Sequence, residues 1–225
     1  MVTLWNSECI SPRCRAVMLY SHTTLFIWGG FNGSTLNCFH ALDFASRQWS
    51  HVDHIGYAGR PGAVVVKFAE NDFLIFGDTT GHPLLRFDAT TASFKVMACA
   101  GVAPPPQVKD AQVAVCDRYL LVFGGEKESP YTYIYALDVA RESWFPFSII
   151  PDGETVTLSD GNIKSGFFQL PRQHSSSVAY SLRTRSVVAV MGNKMLDPPP
   201  INVIEMGQAV SVLHLKNDML DILAL

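Results

Sequence analysis

Apolar residues along this chain come in short runs of four to seven, closed by small or polar residues, and the runs arrive in pairs. "RAVMLY" is followed after a few residues by "LFIWGG", "GAVVVKF" by "FLIFGD", "AQVAVCD" by "LLVFGG", and "SSSVAYSL" by "VVAVMG". Runs of this length, rich in β-branched and aromatic residues and bounded by turn residues, predict strands joined as hairpins. Each second run ends in glycine: Gly29–Gly30, Gly77, Gly124–Gly125 and Gly192. A third run then ends in an acid, at Asp43 of "HALD", Asp88 of "LRFD", Asp138 of "YALD" and Glu205 of "VIEM". Six residues after the acid stands an aromatic, Trp49, Phe94 and Trp144, with Ser211 in that place in the last unit.

The first glycines are spaced by 48, 47 and 68 residues, the last step carrying an insertion. A unit of four short strands recurring at nearly fifty residues is the sequence form of a propeller blade. The glycines mark strand ends where backbone turns or neighbouring blades approach too closely for a Cβ. The acid is expected to accept hydrogen bonds from backbone N–H groups of the next turn. The aromatic is expected to be a buried wedge between adjacent blades.

These units resemble kelch repeats. The marks carrying the resemblance are Gly29–Gly30, Gly124–Gly125, Tyr135 with Asp138, Trp49 and Trp144, and the opening "PRQHSSSVAY" with Arg172 and His174. Unit two departs with Gly77–Asp78 and Phe94, unit three lacks the opening Arg, and unit four has Gly192–Asn193. The resemblance implies an all-β, kelch-type β-propeller as a single domain over 1–225. Its four recognisable blades fall at about 13–53, 60–97, 106–147 and 171–215, with a long insertion at 146–171. Kelch propellers usually close with six or seven blades, so four leave two readings. In one, "TLWNSECISPR" supplies a closing strand through Trp5, with Arg13 opening the next blade. In the other the propeller is partial or atypically closed, and its edges are covered by self-association or another chain, because bare apolar edges aggregate.

Composition narrows the role. The chain has 225 residues, 48% of them hydrophobic, enough for a substantial core. A net charge of −3 gives no general attraction to nucleic acid or to an anionic membrane. The opening residues lack a basic stretch followed by a long apolar run, and no segment has the roughly 20 apolar residues of a membrane helix. Five cysteines without a CxxC pair read as reduced, mostly buried thiols. The expected setting is intracellular and cytoplasmic.

In an antiparallel meander the loops alternate ends. The turns after the first and third strands are short; the loops after the second strand and the connections between blades are longer. Function concentrates in such displayed loops. The candidate partner-binding residues are therefore Asp78, His82, Glu126, Glu128, Tyr131, Asp152, Glu154, Asp160, Phe167, Phe168 and Asp197. Asp53 adds to the acidic balance, against Lys127, Lys164 and Lys194, and the excess of acid suits a basic segment of a protein partner. The plain alternative is solvated loop charge. The insertion is expected to form a hairpin of "ETVTL" and "GFFQL" about a turn at "SDGN", walling the partner site with Phe167 and Phe168 as anchors.

Catalytic signals are weak by comparison. "HVDH" (His51, Asp53, His54) lacks a distant fourth ligand, and Met191, Met195 and Met206 suit a core. No nucleophile elbow, phosphate loop or zinc-protease motif is present. Kelch folds also host copper radical oxidases, sugar mutarotases and iron-binding specifier proteins, but their ligand sets find no match in register. The expectation is a non-catalytic interaction scaffold without cofactor or metal, with a small-molecule or carbohydrate enzyme on the same fold as the alternative.

Overall fold

The structure is a computed structural model; it describes residues 10–53, 57, 59, 61–77, 84–104, 111–123, 133–148, 162–164, 167–169, 177–190 and 201–206. Every regular element among them is a strand. The chain divides into two compact units, one of Met1–Ala100 with Pro104–Ala111, the other of Gly101–Ala103 with Gln112–Leu225.

The first unit holds two four-stranded antiparallel meanders. Blade one is β1 (Val17–Ser21), β2 (Thr24–Trp28), β3 (Phe39–Asp43) and β4 (Gln48–His51); blade two is β5 (Val64–Ala69), β6 (Asp72–Phe76), β7 (Leu85–Asp88) and β8 (Ser93–Val96). Residues paired across strands share a face, so the register sorts each blade into two sides. In blade one Leu19, Phe26 and Ala41 form a row, beside Val17, Trp28 and Phe39. The opposite side carries the rows Tyr20–Leu25–Leu42–Trp49 and Met18–Ile27–His40–His51. In blade two the row Lys67–Phe73–Phe87–Phe94 is the counterpart of the row ending in Trp49.

One core joins the two blades. The Leu19 side of blade one packs on Phe73, Ile75, Leu85 and Phe87 of blade two, with Phe94 and Val96 partly buried against them. Phe94 lies 5.0 Å from Trp28, 5.5 Å from Phe39 and 4.8 Å from Phe87, centroid to centroid. The fourth-strand aromatic is thus a wedge seated on the preceding blade, at packing distances for aromatic pairs.

The second unit opens with Gly101–Ala103, and Gly101, the last residue of β9 (Ala100–Gly101), lies beside the outer strand of blade three. That blade is β10 (Gln112–Cys116), β11 (Tyr119–Phe123), β12 (Tyr133–Asp138) and β13 (Ser143–Ser148). A separate hairpin follows, β14 (Asn162–Lys164) and β15 (Phe167–Gln169). Blade four contributes β16 (Ser177–Ser181), β17 (Ser186–Val190) and β18 (Ile201–Glu205). Ala114, Leu121 and Ala136 of blade three are buried beneath Val187, with Tyr180 and Ile204 partly buried around them.

The acids behave as their position predicts. Asp43 accepts hydrogen bonds from Ser46 N–H (2.6 Å) and its hydroxyl (2.8 Å), Asp88 from Thr90 N–H (2.8 Å), and Asp138 from Ala140 N–H (3.1 Å) and Arg141 N–H (3.3 Å). Asp138 is fully buried and also meets Arg118 Nη2 at 3.1 Å.

Four expectations need correction. Trp144 is buried, whereas Phe94 and Trp49 are both half-buried; Phe94 rests on the rings of Trp28 and Phe39 of the preceding blade, and no ring contact of Trp49 is found among the described residues. In blades one to three the glycine stands four residues beyond Leu25, Phe73 and Leu120, which pair with Leu42, Phe87 and Leu137. The matching pair in blade four is Val187 with Ile204, so that column falls on Met191 and Gly192 is displaced by one. The hairpin of the insertion pairs Asn162 with Gln169 and Lys164 with Phe167, so its first strand occupies the end of the expected turn, while "ETVTL" lies outside the described residues. The sequence between the strands, Ser165-Gly166, has the composition of a two-residue hairpin connection. Finally, Cys14 is exposed and Cys38 and Cys99 are half-buried, leaving Cys116 as the buried thiol of those described.

Candidate interaction face

The long-loop end can be followed in detail at blade one, where the β2–β3 loop is braced from two sides. Gly30 adopts φ +98°, and a Cβ there would stand 2.9 Å from Cys14 O. That close approach lets Cys14 and Phe31 exchange backbone hydrogen bonds of 3.0 and 2.8 Å. Arg13 Nη1 donates to Gly29 O (3.0 Å) and meets Cys38 Sγ (3.0 Å), tying both ends of the loop to the segment before β1. Leu36 N–H closes the loop on Gly30 O at 2.9 Å.

The connection after β4 comes to the same end. Gly59 N–H donates to Asn37 Oδ1 at 2.7 Å, and a Cβ on Gly59 would lie 1.9 Å from Leu36 O, so only glycine fits. Phe31 is left projecting from the braced loop, 42% exposed. At the other end of these blades the short turns meet instead: Ser21 Oγ bonds Asn71 Oδ1 and donates to Glu70 O. The alternation of long and short loops is therefore real in this unit.

In the second unit a backbone contact of this kind appears beside the start of β13, next to the short β12–β13 turn rather than at the long-loop end. Val102 N–H donates to Trp144 O at 3.3 Å, and the Val102 side chain is exposed. Phe167 and Phe168 sit in β15, paired with Lys164 and Ile163. Asp78, His82, Glu126, Glu128, Tyr131, Asp152, Glu154, Asp160 and Asp197 lie outside the described residues, as do Gly124, Gly125, Arg172, His174 and Gly192.

The face holds weak rather than focused chemistry where it is described. Asp53 is exposed and stands 3.9 Å from His51 Nε2. His40 and His51 stack edge to face at 5.5 Å, and burial, then the charges of Arg13 and His51, hold the His40 imidazole below its usual pKa. Among the described residues no group of three His, Cys, Asp or Glu converges as metal ligands. His54 lies outside them. No helix among them is long and apolar enough to cross a membrane.

Sequence reasoning missed Phe31, Asn37 and Gly59. Asn37 and Gly59 are 22 residues apart, and nothing local in a single chain announces that contact. Phe31 did carry a signal, an aromatic set directly after a double glycine in a loop.

Glycine-ended second strands, acid-capped third strands and an aromatic wedged on the preceding blade define a kelch-type β-propeller fold. Residues 2–157 match the KLHDC2/KLHL20/DRC7 Kelch-repeats domain, and the chain belongs to this kelch-repeat family. Two Arabidopsis thaliana proteins are similar to it. Acyl-CoA-binding domain-containing protein 4 is 30% identical over 129 residues, 54% of this chain and 19% of that protein. Acyl-CoA-binding domain-containing protein 5 is 28% identical over 129 residues, 54% of this chain and 20% of that protein. The chain spans about a fifth of the length of these relatives. A solved structure of YjhT shares the fold, with a TM-score of 0.56 and 13% identity over 80% of this chain and 59% of that one.

Proposed function

We propose that the chain is a non-catalytic scaffold that binds a protein partner through the long-loop end of its blades. The observation that carries the reading is the braced β2–β3 loop of blade one, where Arg13, Gly30 and Asn37 hold the backbone so that Phe31 projects into solvent. A rigid loop displaying an aromatic loses little conformational freedom on binding, which is the usual arrangement of an interaction anchor. Membership of the kelch-repeat family supports the same reading. The acidic excess of the remaining loops in the sequence suits a basic segment on that partner. Cys14, Cys38 and Cys116 form no disulfide, which accords with a reducing, cytoplasmic setting. No acyl-CoA activity is carried over from relatives of which the chain spans about a fifth.

The test is quantitative capture by the tagged chain against Phe31→Ser and against a chain whose residues 150–166 are replaced by a Gly-Ser turn. Loss of the same specific partner from both, with unchanged thermal melts, is the expected result. Retention of every partner by both variants would overturn the reading. Stabilisation by one member of a sugar and metabolite panel would favour an enzyme of the same fold.

A further inference from the structure

His40 occupies a column of blade one that is apolar in blade two. It pairs with Ile27 across β2 and β3, and its equivalent there, paired with Ile75, is the fully buried Leu85. His40 is itself only 8% exposed, and its Nδ1 has no hydrogen-bond partner among the described residues. A buried polar atom without a partner is costly, and imidazole is the side chain whose charge changes near neutral pH.

The surroundings of His40 connect it to the Phe31 loop. Arg13, from the segment before β1, meets Cys38 Sγ at 3.0 Å with the same Nη1 that donates to Gly29 O at 3.0 Å. Cys38 stands two residues before His40, where Gly29 N–H, donating to Cys38 O at 3.0 Å, continues the pairing of β2 with β3. In extended chain two such residues take the same side. His51, paired with His40 across β3 and β4, stacks on it edge to face at 5.5 Å. Among the described residues, the titratable and charged groups about His40 are therefore Arg13, Cys38 and His51, with Tyr20 of β1 one row further. In its own row β1 and β2 place the apolar Met18 and Ile27. Asp53 partners His51, 3.9 Å from its Nε2. Burial first, then the charges of Arg13 and His51, all favour the neutral His40 ring.

We propose that His40 is an acid-operated latch on the loop that carries Phe31. Protonated, the ring becomes a second cation beside Arg13 inside the fold, where an unpaired charge is least tolerated. Arg13 is already half-exposed, so its swing into water relieves the repulsion. The loop then loses the guanidinium at both its ends, Gly29 and Cys38, and Phe31 loses its fixed position. Because the closed loop favours the neutral ring, the latch is fully shut above the range of an unfolded imidazole, about pH 6.5, and opens as pH falls below it. That opening weakens partner capture rests on the reading of Phe31 given above; the loosening of the loop does not.

Amide exchange of the full chain from about pH 8 to about pH 5, normalised at each pH to the unstructured rate, tests this. The Phe31 N–H bonded to Cys14 O (2.8 Å) reports on the loop, and the Ala89 N–H bonded to Asn71 O (2.8 Å) in blade two is the control. Phe31 protection is expected to fall several-fold toward the acid end while that of Ala89 holds. His40→Leu gives blade one the residue that blade two already buries there, and should keep the loop protected throughout. His51→Gln removes one repelling charge and should move the loosening to higher pH. A flat Phe31 profile, an equal fall at Ala89, loosening that survives in His40→Leu, or loosening unmoved by His51→Gln would overturn the latch. Should His40→Leu fail to fold, nuclear magnetic resonance of the wild type decides. The midpoint of the Phe31 change must then coincide with titration of the His40 ring, and a midpoint that follows His22 or His51 refutes the latch. Partner capture measured in parallel keeps the two readings apart. A loop that loosens while capture is unchanged leaves the latch standing and removes Phe31 from the partner site.

Discussion

The ring of Phe94 lies 5.0 Å from that of Trp28, on the neighbouring strand meander, and this contact separates two residues that the repeat makes equivalent. Phe94 rests on the rings of Trp28 and Phe39; for Trp49, in the same position one blade earlier, no ring contact is found among the described residues. Phe94→Ala should cost about 2–3 kcal/mol, at or just below the range for emptying a phenylalanine site, because it removes a half-buried ring packed on Trp28, Phe39 and Phe87. Trp49→Ala should cost about 1–1.5 kcal/mol, since it is half-buried and no ring among the described residues packs on it. Urea unfolding of both variants at low concentration measures the difference, and equal losses would contradict the placement of the wedge.

The alkaline limit of stability should be set partly by the junction of blades three and four. Burial, then a hydrogen bond with Tyr180 acting the other way, sets the Cys116 thiol above its usual pKa. Burial, then the bond to Cys116, raises the Tyr180 hydroxyl as well. Both shifts favour the neutral forms in the folded state. Their contribution is therefore complete below the unfolded thiol's range and is lost as pH rises above about 9. The urea midpoint should fall steeply there, and less steeply in Cys116→Ala and Tyr180→Phe. Parallel pH profiles for the three proteins would rule the junction out as the cause.

At the acid end the sign reverses. The Ser46 N–H bond holds the Asp43 carboxyl below its usual pKa, and the Thr90 N–H bond does the same for Asp88. A depressed folded-state pKa contributes stability above the unfolded carboxylate's range, lost as pH falls below about 4. Asp43→Asn and Asp88→Asn together should flatten the acid limb of a melting-temperature profile. An unchanged acid limb would show that these turn bonds do not persist in solution.

Gly30→Ala should destabilise by about 1–3 kcal/mol, because the backbone is left-handed there and Cys14 O already occupies the space. The loop would lose the Cys14–Phe31 pairing, so amide exchange at Phe31 should quicken. Gly33→Ala is the control: Gly33 also has a positive φ of 109°, but a Cβ there meets nothing within 4 Å. Equal losses in the two would assign the whole effect to backbone strain and none to the crowding.

What the sequence determined by itself was local. Asp43, Asp88 and Asp138 cap turns two or three residues away, so composition and spacing were enough to read them. The strand order within each blade was legible for the same reason, since hairpin partners are neighbours in the chain and alternation sets the side each residue takes. The family resemblance rested on those same recurring positions. Tertiary structure decided what no local spacing can carry. Asn37 holds Gly59 across 22 residues. The one-residue displacement of Gly192 became visible only when Val187 was found paired with Ile204. Trp49 and Phe94 look alike in sequence and are both half-buried, yet only Phe94 is found on the rings of a neighbouring blade among the described residues; that contact joins strands dozens of residues apart, and only the packed chain specifies it.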